Sequence, residues 1–118
     1  MRDWREAVVT EEKILDYLLS VDHPTGGDKA AFFLGVGYTR TQWTRLRDDL
    51  RRLASAGTVV AEKRTDFGIK HVVDGMIETP DGRTVALRTI WISDEADGAP
   101  RLVTAYPGKG VSGNVQRA

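Results

Sequence analysis

The chain contains no cysteine, which excludes disulfides, zinc–thiolate centres and thiol nucleophiles. Histidine is scarce: only His23 and His71 are present, far apart and without H-x-H or H-E-x-x-H spacing. No catalytic metal site is expected from such a set. An excess of either charge is also missing, because 17 basic and 17 acidic residues cancel to a formal net charge of zero. That argues against broad, salt-driven binding to nucleic acid but leaves room for a small local basic site. No run approaches the roughly 18 apolar residues of a membrane-spanning helix. The opening Met1-Arg2-Asp3-Trp4-Arg5-Glu6 carries charge and no apolar stretch, so it does not read as a signal peptide. Neither an internal repeat nor a low-complexity tract interrupts the chain. The glycine-rich stretch lacks Walker spacing, and there is no G-x-S-x-G elbow.

What is present suits one modest core: 118 residues, 41% of them apolar. A single domain over 1–118 is expected, with its core at about 8–107 and a frayed, glycine-rich tail over 108–118. Residues 1–9 read as an arm packing through Trp4, Val8 and Val9. Thr10 is a natural helix cap ahead of Glu11 and Glu12, and Ile14, Leu15, Leu18 and Leu19 give a short helix one apolar face. Ser20 to Gly27 breaks it. Asp28 can cap a second short helix from Lys29 to about Gly35. Thr39 or Thr41 caps the longest helix, about 40–56, and Thr39 with Gln42 has capping-box spacing. Trp43, Leu46, Leu50 and Leu53 form its buried seam. Arg45 with Asp49, and Asp48 with Arg52, are i, i+4 pairs on its other faces. Gly57 ends it. After Gly57 the pattern becomes that of strands: 58–64, 69–78 with a bend or bulge at Asp74-Gly75, 83–93 and 101–106. Turns at Thr65-Asp66-Phe67-Gly68 and Pro80-Asp81-Gly82 separate them. Short turns require antiparallel pairing. The expected fold is α+β, with N-terminal helices packed on a C-terminal four-stranded antiparallel sheet.

Three groups of residues could carry chemistry. In Asp22-His23-Pro24-Thr25-Gly26-Gly27-Asp28-Lys29, Gly26 and Gly27 let the backbone approach an anion. The helix beginning there directs N–H groups at it, Lys29 adds a cation, and His23 can exchange protons near neutral pH. The competing reading is a tight connection with Asp28 as a cap. Arg88 interrupts an apolar strand. If Val85, Leu87, Thr89 and Trp91 face the helices, it projects from the open face, where it could hold a phosphate or pair with Glu62 or Asp74. Thr104 and Tyr106 share a face of the last strand and could orient a phosphate or stack on a base; ordinary strand composition is the alternative. His71, flanked on its own face by Ile69 and Val73, reads as a structural or surface histidine rather than a ligand.

DYLLSVDHPTGGDKAAFFLGVGY, TQWTRLRDDLRRLASAG, VVDGMIETPDGRTVALRTIWI and PRLVTAYP together resemble a bacterial family described only as a domain of unknown function. Its signature, LL-x-x-x-HP-x-GG-x-KA-x-FF with a closing T-x-YP, runs through this chain from about Val8 to Pro107. Members of that family occur as small proteins and as terminal domains of larger bacterial toxins. The family in turn is similar, more distantly, to the barnase–EndoU–colicin–RelE ribonuclease fold. That resemblance implies a toxin-type, metal-independent endoribonuclease that cleaves RNA by 2′-OH transesterification and needs no cofactor. It implies catalytic roles for His23, Lys29, Arg88, Thr104 and Tyr106, with His23 as acid–base and Lys29 and Arg88 stabilising phosphorane charge. It also implies an RNA substrate, a cognate antitoxin or immunity protein as partner, and action in the cytoplasm, including after delivery within a secreted toxin. The neutral charge departs from the many basic members of that group. A non-catalytic protein-binding, regulatory or immunity module is the alternative.

Overall fold

A computed structural model describes residues 4–23, 27–94 and 98–108. Gly26 and the tail from 109 onward lie outside the described residues. A 3₁₀ turn, Trp4–Glu6, precedes three helical segments: α1, Glu11–Lys13, continuing into a π-helical turn, Ile14–Leu18; α2, Gly27–Gly35; and α3, Trp43–Ala56. Four strands follow: β1 (Thr58–Thr65), β2 (Gly68–Glu78), β3 (Thr84–Ser93) and β4 (Arg101–Pro107). They form an antiparallel meander in the order β1-β2-β3-β4. The helices-then-sheet α+β architecture expected from the sequence is the one observed.

Strand parity decides which side of the sheet meets the helices. His71, Val73 and Ile77 of β2, Leu87, Thr89 and Trp91 of β3, and Leu102 and Ala105 of β4 are buried. Against them pack Ile14, Leu18, Phe33, Leu46, Leu50 and Leu53 from the helical layer. The i, i+3, i+4 spacing along α3 thus delivers one buried stripe, with Trp43 packing half-buried at its start. A polar chain crosses this core without an unmet partner: the Trp91 indole donates to Thr89 Oγ1 at 2.7 Å, and Thr89 Oγ1 donates to the Val73 carbonyl at 2.8 Å.

Several local expectations are corrected. Thr10 does cap α1, accepting the Lys13 N–H, but Leu19 N–H then bonds Ile14 O, five residues back, so the helix widens into a π turn. α2 starts at Gly27, which places Asp28 inside its first turn rather than ahead of it. α3 starts at Trp43, not near 40. Thr39 Oγ1 accepts the Gln42 N–H, while Arg40 reaches back to the Leu15 and Leu19 carbonyls at 2.5 and 3.1 Å, capping the π turn that follows α1. The Asp48–Arg52 pair does not form. Arg52 turns to Asp49 at 2.7 Å and Asp48 pairs with Arg47 at 2.9 Å. Asp49 is buried, and also accepts from Arg45 at 3.1 Å and from the Tyr38 hydroxyl at 2.6 Å. A buried carboxylate must be surrounded by donors, and that requirement outweighs an exposed i, i+4 pair. Burial, followed by the bond to Asp49, pushes the Tyr38 hydroxyl well above the usual phenol range.

The bulges lie elsewhere too. β2 pairs continuously with β3 through Asp74 and Gly75. Register shifts instead fall at Val59/Ala61 of β1 and opposite Ile90/Trp91 on β4. Gly75 is explained by packing: a Cβ there would stand 2.8 Å from Leu53 Cγ. In the arm, Ala7 and Val9 are buried while Val8 is 39% exposed. Val8 contributes through its main chain, donating to Pro100 O at 2.7 Å and accepting from Leu102 N–H at 2.9 Å. Gly108, expected to begin the frayed tail, is buried and donates to Ala86 O at 2.8 Å.

Candidate active site

The nominated residues come from both layers. His23 and Lys29 lie on either side of the α1–α2 loop, both half-buried. Thr104 and Tyr106 lie on β4, opposite Ile90 and Arg88 of β3 respectively. Arg88, Thr104 and Tyr106 therefore share the face of the sheet turned away from Leu87, Thr89 and Ala105.

Tyr17 connects the two groups. Its hydroxyl is 3.0 Å from Thr104 Oγ1. The His23 ring meets the Tyr17 ring edge-on, with centroids 4.8 Å apart. Lys29 Nζ and Lys13 Nζ stand 5.8 and 5.0 Å from the same ring's centroid, within cation–π range. Two ammonium groups, an imidazole and two hydroxyls are thus gathered around one half-buried aromatic ring. The π turn carries Tyr17, and such single-turn irregularities are frequent at functional sites. Sequence reasoning gave neither Tyr17 nor Lys13 a role. The available signal was a hydroxylated aromatic six residues before His23.

On the sheet, Arg88 Nε and NH2 each donate to Asp74 carboxylate oxygens at 2.8 Å. This is the cross-sheet pairing offered above as one of two readings. Its surroundings raise the guanidinium above the ordinary arginine range, the bond to Asp74 most of all, and Tyr106 lies opposite on β4. The same bond holds the Asp74 carboxyl below the usual carboxylate range. Asp74, Arg88 and Tyr106 form one polar line, and much of the arginine fork is already engaged.

Gly27 has a local explanation. Its N–H donates to His23 O at 3.1 Å, and a Cβ on it would stand 2.9 Å from Val21 O. That amide is therefore already taken. His71 is fully buried, with Nδ1 2.5 Å from Glu62 and Nε2 2.9 Å from Ser93, against the edge of Trp4. It lies on the core face, away from Arg88. Among the described residues no group of three or more His, Asp or Glu side chains is placed to hold a metal, and no helix is long and apolar enough to cross a membrane.

Fold and site together define a helices-then-meander α+β protein with a basic, hydroxyl-rich cluster beside the last strand. The chain belongs to the family described as Domain of unknown function (DUF6883), whose pattern matches residues 1–109. No curated protein matches it in sequence. Among solved structures it is similar to a chain of the contact-dependent growth inhibition toxin–immunity protein complex from Klebsiella pneumoniae 342. The TM-score is 0.65 at 16% identity, over 86% of this chain and 100% of that one. At that identity the likeness is one of fold.

Proposed function

We propose that the chain is a toxin-type, metal-independent endoribonuclease. The observation that carries this reading is the gathering of His23, Lys29 and Thr104 around Tyr17, although Tyr17 and Thr104 lie 87 positions apart in the chain. A fold shared with a chain of a toxin–immunity complex supports it. In this reading the imidazole of His23 takes the proton of a ribose 2′-OH. The oxygen attacks the adjacent phosphorus, and the 5′ oxygen leaves with a proton from a general acid or water. The products are a 2′,3′-cyclic phosphate and a 5′-OH end. Lys29, joined by Lys13, offsets the charge gathering on the phosphorane. Positioned donors of this kind contribute about 2.7–4 kcal/mol each. Thr104 and Tyr106 orient the phosphate. Arg88, tied to Asp74, contributes its charge beside Tyr106, its register partner on β4. The same reading assigns an antitoxin or immunity protein as partner and the cytoplasm as the place of action. Purified protein should cleave RNA in EDTA, and His23→Ala and Lys29→Ala should each abolish most of that cleavage and relieve growth arrest on expression. RNA left intact beside a working nuclease control would sink the reading.

One observation favours a second reading, a non-catalytic binding or immunity module: the Arg88 fork is largely taken by Asp74. Such a module would be well tolerated when expressed without a partner, whereas a ribonuclease would not.

A further inference from the structure

β2 is longer than its neighbour on one side. It pairs with β3 as far as Glu78↔Thr84, but its pairing with β1 begins at Thr58↔Asp74. Among the described residues no strand lies on the β1 side of β2 over Gly75–Glu78. The direction of the main-chain groups there follows from antiparallel alternation. Thr79 N–H bonds Arg83 O at 2.7 Å, so Ile77 and Gly75 turn their groups toward β3. Met76 and Glu78 turn theirs into the vacant lane. Two contacts agree. Asp74 O, at the same parity, stands 2.6 Å from where a Gly57 Cβ would be, and Glu78 O accepts from Arg45 NH2 at 3.3 Å. An arginine thus satisfies one carbonyl that a strand would otherwise take.

The lane is open space. A groove of about 740 Å³ runs along it, bounded by α3 from Arg45 to Ala56, by Gly57 and Thr58, and by Asp74 to Glu78. Gly75 brings Leu53 down onto the strand, and so seats α3 alongside. The lane is about 13 Å long at roughly 3.3 Å per residue, room for about four residues of extended chain. Its helical wall is apolar at Leu53 and Ala56. It is cationic at Arg45 and Arg52, whose side chains are 47% and 72% exposed and share the single carboxylate of Asp49. Asp48 is paired with Arg47 and Asp74 with Arg88. On the open side Met76 is 54% exposed.

We propose that this groove accepts an extended segment of a partner protein as a short fifth strand in line with β1. Main-chain bonds to Met76 and to the Glu78 N–H hold it, as in strand addition to a sheet edge. Alternation sets its chemistry: a carboxylate on the side facing Arg45 and Arg52, and an apolar side chain on the side facing Met76. None of the nominated catalytic residues lines the groove, so the inference stands apart from the ribonuclease reading.

The test uses the purified full chain and a phage-displayed library of random seven-residue peptides. Enriched peptides, once synthesised, should show the acidic/apolar alternation, and binding should slow hydrogen exchange at the Met76 and Glu78 amides. Met76→Pro removes one donor into the lane and should weaken binding about tenfold. Ala56→Trp, at an exposed helix position, fills the groove without touching the sheet and should abolish binding; it decides the matter if the proline variant does not fold. No enrichment over an unrelated protein, protection confined to other amides, or unchanged affinity for Ala56→Trp would each overturn the proposal.

Discussion

Along β4 the sheet edge is covered. Val8 pairs with the start of the strand through Pro100 and Leu102, Leu102 and Ala105 are buried, and Tyr17 binds Thr104. Along β1, seven of eight residues are exposed and the eighth is half-buried. The strand's neighbour in the described sheet is β2. A bulge at Val59/Ala61 and the run Glu62-Lys63-Arg64 interrupt its outer edge, devices that discourage pairing with stray strands. The covered edge gains a fixed geometry, which acid–base chemistry requires. The outer edge of β1 is exposed but guarded against pairing, whereas the proposed partner groove lies where β1 stops short, along Gly75–Glu78 of β2. The covered rim carries the candidate active site, and the proposed docking lane lies on the other side of the sheet.

If the contrast is real, it should show first in stability. Leu102→Ala on the covered edge should cost about 2–5 kcal/mol, as for other buried leucines, read from the urea midpoint. His23→Ala should leave that midpoint near wild type while lowering RNA cleavage about 10²-fold or more. A stability loss as large as that of Leu102→Ala would reassign His23 to structure. Tyr17→Phe removes only the bond to Thr104, so about 0.5–1.5 kcal/mol of stability is at stake, with a several-fold fall in cleavage. Tyr17→Ala should reduce cleavage further, because the ring that meets His23 goes as well.

Acid separates the sheet interior from its edge. The Asp74 carboxyl titrates lower in the folded protein than in the unfolded chain, chiefly because of Arg88. Its contribution is therefore complete above about pH 4, the ordinary carboxylate range, and fades as pH falls through the depressed folded value. Both partners are about a third exposed, so the contribution is at most ~1 kcal/mol. Asp74→Asn should flatten the acid limb of the stability curve by that amount. The same sign applies at the β2–β3 turn, where Arg83 first and Thr79 next hold Asp81 down at about 2. The smallest effect belongs to the open edge: Val60→Thr should move stability by no more than about 0.5 kcal/mol. A loss near that of Leu102→Ala would mean β1 is covered in solution.

Much of the fold was legible in the sequence because it depends on short-range periodicity. The seam Leu46, Leu50, Leu53 and the alternation Leu87, Thr89, Trp91 each name one buried face whatever the partner is. Thr10 and Pro80-Asp81-Gly82 act through neighbours within a few residues. What was misread depends on distant groups. Asp48–Arg52 has sound helical spacing, yet Asp49 takes Arg52 because burial leaves its carboxylate in need of donors. Asp74-Gly75 carries a bulge signature, but Gly75 answers to Leu53 on another element. Arg40 looked helical until its carbonyl partners at the end of the π turn after α1 were known. For the candidate site, residue types and the HPxGG loop nominated His23 and Lys29. Tyr17 escaped because nothing within its own helix signals a hydroxyl bond to Thr104.

The cluster beside β4 therefore has two origins. Local sequence determined that a short helix, a glycine-rich loop and a second helix would be followed by a four-stranded meander, because caps, turns and hydrophobic periods act over a few residues. Only the tertiary structure decided that Tyr17 would stand between His23, Lys29 and Thr104, that Asp74 would take Arg88, and that β1 would stop short and leave the end of β2 uncovered. Those outcomes depend on how layers pack and where strands begin to pair, and both are set by contacts between residues far apart in the chain.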